Sequence, residues 1–256
     1  MHDDTGAMLS TAHPARRVVS LVPSLTETVA LTMPGVLVGA TDWCTHPPDL
    51  EVPRIGGTKN PRLDAVIALE PDVVVANAEE NRPADIDALR GSGVPVWVTA
   101  PTTVAQALVS LRRMLAVLRA IDPPAWLIEA ERVWSDDAPR PRHQAVVPIW
   151  RRPWMVLGRD TFAGDLLARL GVGNVFAGQN ERYPRIDLDR LPAHDLVVLP
   201  DEPYAFSATD GPEVFPDVPV ALVSGRHLTW YGPSLVEARD VLTAQLAARL
   251  PGHRVP

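Results

Sequence analysis

From Thr103 to Ile121 the chain reads TVAQALVSLRRMLAVLRAI, and this stretch constrains the fold more than any other. Val104, Leu108, Leu111, Leu115 and Leu118 fall at alternating steps of four and three. That is the helical period, and it holds for about five turns without Gly or Pro. Thr102 or Thr103 can cap its start, and Pro123 and Pro124 end it. At 1.5 Å per residue such a helix spans roughly 30 Å, about the diameter of a domain. Segments of similar size flank it. The organisation expected is a disordered tail over 1–16, one lobe over 17–102, a rigid bridging helix over 103–121 and a second lobe over 122–256.

The two flanks resemble each other. PRLDAVIALEPDVVVAN begins at Pro61 and PRIDLDRLPAHDLVVLP at Pro184. At one fixed offset Pro61, Arg62, Asp64, Asp72, Val74 and Val75 match Pro184, Arg185, Asp187, Asp195, Val197 and Val198. Each copy reads as a short helix followed by a buried strand.

Taken in order, the first flank alternates apolar β-branched runs with helical segments. RVVSLV, VLVGA, DVVVAN and VPVWVT read as strands, and the alternation is that of a parallel sheet. Ser24 and Glu27 form a capping box, Asn60 precedes a helix opened by Pro61, and Asp160 precedes one over 161–170. The second flank reads βαβαβα. The fold class expected is α/β, with two parallel-sheet lobes joined by a single helix.

Crevices in such sheets lie beyond the carboxyl ends of the strands. Five loops take those positions: Pro23–Leu25 with Ser24, Trp43–His46, Thr58–Lys59–Asn60, Trp150–Arg151 through Trp154, and Arg226–Tyr231 with Trp230. They bring aromatic plates, a thiol, imidazoles, an amine and guanidinium groups toward one cleft between the lobes. That set suits a flat, partly anionic, largely apolar small molecule. Seven Trp against four Phe and three Tyr strengthen the point.

Other chemistries fit less well. A net charge of −7 with no compensating basic face argues against nucleic acid. The single cysteine, Cys44, precludes an internal disulfide. Cys44 and His46, two residues apart, are a fragment of a soft metal site that needs further ligands. Ser24 stands between a strand and a helix, but in VPSLT rather than GxSxG, so no catalytic residue is assigned. Gly56-Gly57 lacks the pattern of a phosphate loop. Trp97 and Trp134 read as packing, and Glu79-Glu80 as a solvated face. No stretch is long and apolar enough to insert in a membrane, and the first residues lack a basic segment followed by an apolar one. The chain as written is therefore expected in the cytosol, and outside it only if translation starts upstream.

The motifs PSLTE, CTHPP and ALEPDVVV, with IWRRPWMVLGRDTFAGDLLARLG, RYPRIDLDRL and LTWYGPS, resemble the substrate-binding proteins of cobalamin and ferric-siderophore ABC importers. The likeness runs from about Arg17 to Leu250. It implies two α/β lobes on one stiff helix with modest lobe motion, binding without catalysis, and a non-covalent corrinoid or ferric-chelate ligand. It implies a monomer that serves an ABC permease. By motif, Trp43, Trp154, Tyr183 and the Trp230–Tyr231 loop match ligand-contacting positions. Asp64, and either Asp187 or Asp189, match carboxylates that dock on the permease. The rival readings are a cytosolic metal or corrinoid handler using Cys44 and His46, and an enzyme on the same scaffold.

Overall fold

The computed structural model describes residues 1–9, 13–118 and 122–249. By their contacts the residues fall into two compact units. The first comprises Met1–Pro101, Ala105–Glu131 and Tyr231–Pro233, and the second is the rest of the chain.

In the first unit the elements run β1 (Val18–Ser20), α1 (Pro23–Thr32), β2 (Leu37–Ala40), α2 (Leu63–Ala68), β3 (Val73–Asn77), α3 (Pro83–Gly91), β4 (Val96–Thr99), α4 (Val104–Leu118) and α5 (Ala125–Val133). The four strands make one sheet in the order β2-β1-β3-β4, every pair parallel. The valine runs that read as strands are buried on both faces, as a helix-covered parallel sheet requires. Trp97 is buried within β4.

The periodic stretch behaves as its spacing predicts. Val104, Leu108, Leu111, Leu115 and Leu118 are all buried, while Val109 on the opposite face is 59% exposed. It starts at Val104 and runs to Leu118, and the expected last residues Arg119–Ile121 lie outside the described residues. Ala105–Glu131 packs as part of the first unit, so the separate bridging segment expected over 103–121 is absorbed into that unit, together with α5 up to Glu131.

The second unit contains β5 (His143–Val146), β6 (Pro148–Arg151), β7 (Trp154–Val156), α6 (Phe162–Arg169), β8 (Val172–Asn174), β9 (Leu196–Pro200), β10 (Val220–Val223), α7 (Gly225–Thr229) and α8 (Leu235–Ala247). Its parallel sheet runs β10-β9-β5-β8, and β6 and β7 form a separate antiparallel hairpin. The fold class is thus the expected α/β with a parallel sheet in each unit. The loop expected over Arg226–Tyr231 is instead partly helical, since the short α7 runs to Thr229.

The internal repeat is structural. β3 and β9 correspond at the offset that aligns the two sequences, and Asp72 and Asp195 make equivalent contacts. Asp72 N donates to Arg17 O at 2.8 Å, and its carboxylate accepts from Arg17 N at 2.9 Å. Asp195 N donates to Gln144 O at 3.0 Å, and its carboxylate accepts from Gln144 N at 2.7 Å. The helices differ: α2 has six residues, whereas its counterpart shrinks to a 3-10 turn at Leu188–Arg190.

Three helix starts differ from the sequence reading. α1 begins at Pro23 with Val22 as its extended N-cap, because proline suits the first helical position. Ser24 is therefore inside the helix. Arg62, not Asn60, precedes α2, since Gly56 and Pro61 form a β-bridge that keeps Asn60 in a turn. Thr161, not Asp160, caps α6, accepting from Gly164 N at 3.2 Å.

The disordered tail expected over 1–16 is also corrected. Ser10–Ala12 lie outside the described residues, but residues 1–9 are folded against β4. Asp4 N donates to Val98 O at 3.0 Å, and the Asp3 carboxylate accepts from Val98 N at 3.2 Å and from Arg90 at 2.9 Å. The buried Asp3 and half-buried Asp4, with this many donors, hold a segment that low hydrophobicity alone suggested was loose.

Candidate functional site

In the first unit the carboxyl ends of β1, β2, β3 and β4 deliver Leu21–Ser24, Thr41–His46, Ala78–Asn81 and Ala100 to one edge of the sheet. Trp43 stands there 67% exposed, with its indole nitrogen beside Gly57, where a Cβ would lie 3.5 Å from it. The Gly56–Asn60 turn lies beside it. Gly56 has φ of +93°, and a side chain there would press on the Asn60 carbonyl at 3.0 Å, so this turn needs glycine. Thr58 O accepts from Asn81 Nδ2 at 3.0 Å, and Lys59 Nζ donates to Glu79 O at 2.5 Å. Thr58 and Lys59 are thus tied to the β3–α3 connection, Thr58 through Asn81, a side chain the sequence reading did not single out.

Ser24 and Leu25 are buried, so the expected exposed Pro23–Leu25 surface is not formed. The Ser24 hydroxyl has no hydrogen-bond partner among the described residues. Cys44 is also buried, its sulfur 2.9 Å from Thr26 Oγ1 and 3.1 Å from Thr41 Oγ1. Burial pushes its thiol pKa up, against the hydrogen bonds from Thr26 and Thr41. His46 is turned to its neighbour, Nδ1 lying 3.1 Å from Thr45 Oγ1 at an exposed position. The two are not assembled as metal ligands, and no group of three or more His, Cys, Asp or Glu suited to a metal occurs among the described residues. A neutral buried thiol is a poor metal ligand, which is the physical reason the pair fails.

Tyr231 belongs to this edge too, although it was expected on a ligand-facing loop. It is buried, with its hydroxyl 2.6 Å from Asn77 Nδ2 and 2.7 Å from Thr99 Oγ1. Burial raises its pKa far above the ordinary tyrosine value.

In the second unit, Trp150 is 42% exposed and meets Tyr204 edge-to-face at 5.7 Å. Trp154 is half-buried, stacked on Phe206 at 5.9 Å and edge-on to Phe215 at 5.8 Å. Arg151 lies over the Trp154 ring at 5.6 Å and is paired with both Asp210 and Glu213. Its charge is spent inside the chain. Backbone N–H groups of Glu213 and Gly211, and then Arg151, hold the Glu213 carboxyl below its usual range.

Tyr183 lines an open cavity of about 620 Å³ with Met155, Gln179, Asn180, Glu181, Pro184 and Arg185. A strand-like contact builds that wall. Val156 N donates to Pro184 O, Ile186 N to Trp154 O and Gly158 N to Arg182 O, at 2.7–3.1 Å. A Cβ on Gly158 would lie 2.1 Å from Glu181 O, so the approach requires glycine.

At the carboxyl ends of β9 and β10, Trp230 is buried and donates its indole N–H to Glu202 at 3.3 Å. Burial raises the Glu202 pKa, and neighbouring Asp201 adds to the rise while the Trp230 bond and Arg226 oppose it. Arg226 and His227 converge on Glu237 at 3.1 and 3.0 Å, and His227 Nδ1 lies 2.8 Å from Ser224 Oγ. None of Glu202, His227 or Glu237 was legible as a cluster, because they come from three separate segments.

Asp64 and Asp189 are exposed, each in the first turn of its element, α2 or the 3-10 turn. Asp187 instead caps that turn, accepting from Asp189 N at 3.1 Å.

No protein-family model matches the chain. Its relatives and structural neighbours are informative. It is 24% identical to the vitamin B12-binding protein of Pectobacterium carotovorum, covering 97% of this chain and 95% of that one. The periplasmic vitamin B12-binding protein of Vibrio cholerae superposes with a TM-score of 0.70 at 18% identity, over 93% of this chain and 99% of that one. A periplasmic heme-binding protein from Roseiflexus superposes with a TM-score of 0.73 at 18% identity, over 92% and 99%. These relatives are named for what they bind. They also overturn the cytosolic expectation, since both of these solved neighbours are periplasmic proteins. No helix among the described residues is long and apolar enough to cross a membrane. The resemblance to the substrate-binding proteins of cobalamin importers and their relatives therefore holds over more than nine-tenths of the chain.

Proposed function

We propose that this protein binds a flat metal chelate, a corrinoid or a heme-like compound, without transforming it, and presents it to an ABC permease. The observation that carries this reading is the end-to-end match to a vitamin B12-binding protein. Aromatic side chains at the sheet edges support it: Trp43 in the first unit, and Trp150, Trp154 and Tyr183 in the second. Thr58, Lys59 and Asn60 offer polar contacts beside Trp43. Arg151, already paired with Asp210 and Glu213, serves to orient Trp154 rather than to meet the ligand. Trp230 and Tyr231 act from beneath the surface. Asp64 and Asp189 are the pair suited to permease docking, since each leaves its carboxylate exposed at the same position of its helical turn.

Titration with cyanocobalamin and with hemin, followed by ligand absorbance and tryptophan fluorescence, tests the reading. Saturable binding of one of them with quenching is expected. If neither binds at micromolar concentration, the reading falls.

A further inference from the structure

Four buried side chains, Tyr231, Thr99, Asn77 and Asn81, form a continuous hydrogen-bonded relay in the first unit. It starts at Tyr231, whose hydroxyl meets Asn77 and Thr99. Thr99 Oγ1 also donates to Ala76 O at 3.0 Å, which fixes its hydroxyl. Asn77 ends β3, and its Oδ1 accepts from the backbone N–H of Glu79 at 2.8 Å and of Glu80 at 3.0 Å. Asn77 N donates to Asn81 Oδ1 at 2.9 Å, and Asn81 N returns to Asn77 O at 2.9 Å. Asn81 Nδ2 reaches out to Leu21 O and to Thr58 O. Lys59 closes the circuit on Glu79 O.

Every amide position of Asn77 is thereby committed, and Asn77, Asn81 and Thr99 are all buried. Buried amides with all partners satisfied act as rigid connectors, because rotating one leaves several groups without water or partner. We infer that Tyr231, Asn77 and Asn81 are positioning residues that set the Thr58–Asn60 loop, with Tyr231 acting through the Glu79–Glu80 turn and not by touching ligand. The loop so held is the one beside Trp43. Its placement therefore depends on a tyrosine more than 150 residues away in sequence.

The relay has its own readout in the free protein: amide hydrogen exchange, followed residue by residue. Tyr231→Phe should speed exchange at Glu79 and Glu80 by about tenfold, with Asn60 following, and leave Val66 and Val74 unchanged. Thr99→Val, which removes the other partner of the Tyr231 hydroxyl, should give the same pattern more weakly. No change at Glu79 and Glu80 in either variant overturns the relay. So does equal acceleration throughout the first unit, which is what a merely structural role would give.

The consequence for binding rests on the proposed function and is read separately. Cyanocobalamin and hemin are titrated into wild type and Tyr231→Phe, and the ligand that wild type binds should bind the variant about three- to tenfold more weakly. Equal affinity alongside accelerated exchange overturns the positioning role. Absence of binding by wild type overturns the proposed function, while the exchange pattern still decides the relay.

Discussion

Trp154 stacks on Phe206 with ring centroids 5.9 Å apart and planes within 13° of parallel, so one face of this indole is already taken by the protein. Phe215 closes on it edge-on. Among the described residues Trp43 has no such aromatic neighbour, and it stands largely in solvent. Two tryptophans that match ligand-contacting positions alike thus have different energetic roles. Trp154→Ala should cost about 1–3 kcal/mol of stability, because it opens a gap against Phe206 and Phe215. Trp43→Ala should change stability by no more than about 0.5 kcal/mol while costing about 1–3 kcal/mol in ligand affinity. Urea denaturation and ligand titration of both variants check the split; Trp43→Ala with wild-type affinity would remove Trp43 from the site.

Gly158→Ala should be among the most damaging small substitutions in the second unit. The added methyl meets the Glu181 carbonyl, and relieving that overlap means pulling 181–186 off β7. The expected cost is about 1–3 kcal/mol, with Tyr183 displaced from its cavity. Thermal unfolding reads the first effect, and limited proteolysis near Arg182 the second. A variant as stable as wild type would show that the strand contact gives way easily.

Glu202 makes stability depend on pH in a defined direction. Its folded pKa is raised, chiefly by burial, so the native state favours the protonated form. That contribution is fully present below the ordinary glutamate pKa and is lost as pH rises through the raised value. Glu202→Gln keeps an acceptor for the Trp230 N–H and removes the charge. The variant should melt higher than wild type at pH 7, with the difference vanishing toward pH 4. Melting curves across that range decide it, and a variant less stable at pH 7 contradicts the argument.

Docking through carboxylates should be separable from ligand binding. Asp64→Arg combined with Asp189→Arg should leave affinity for the ligand unchanged and abolish stimulation of the permease's ATPase, since rim charges act mainly on association and are screened by salt. Asp187→Asn should leave stimulation intact, because Asp187 is occupied as the cap of the 3-10 turn. Loss of stimulation by Asp187→Asn alone would reverse the assignment of the second carboxylate.

How far the sequence could be read follows from the range of each signal. The buried stripe of α4 from Val104 to Leu118, the valine strands and the match of Asp72 with Asp195 are local or repeated patterns, and all reappear in the structure. Helix starts were less legible: at Val22, Arg62 and Thr161 the choice of cap was made by a proline, a bridge and a neighbouring hydroxyl. The site was legible only in part. Trp43 is exposed, whereas Tyr231 and Cys44 are buried by partners, Asn77 with Thr99 and Thr26 with Thr41, that no spacing rule connects to them. Asn77 and Asn81 are the missed residues that left a trace, two asparagines four apart just where a strand stops. Glu202, His227 and Glu237 left none, because only tertiary packing joins them.

The folded first nine residues have a further consequence. β4 lies at the edge of its sheet, and an edge strand presents unpaired N–H and C=O groups that can recruit a strand from another molecule. Here Asp4 N occupies Val98 O, the Asp3 carboxylate occupies Val98 N, and the Asp4 carboxylate takes Ala100 N at 2.8 Å. Two aspartates placed against a valine-rich strand act as a gatekeeper: with their charges met by Arg90 and Arg113, they occupy the edge's hydrogen-bonding groups and deny it to a second chain. Cutting away residues 1–9 should therefore yield a protein that self-associates through β4 before it loses its fold.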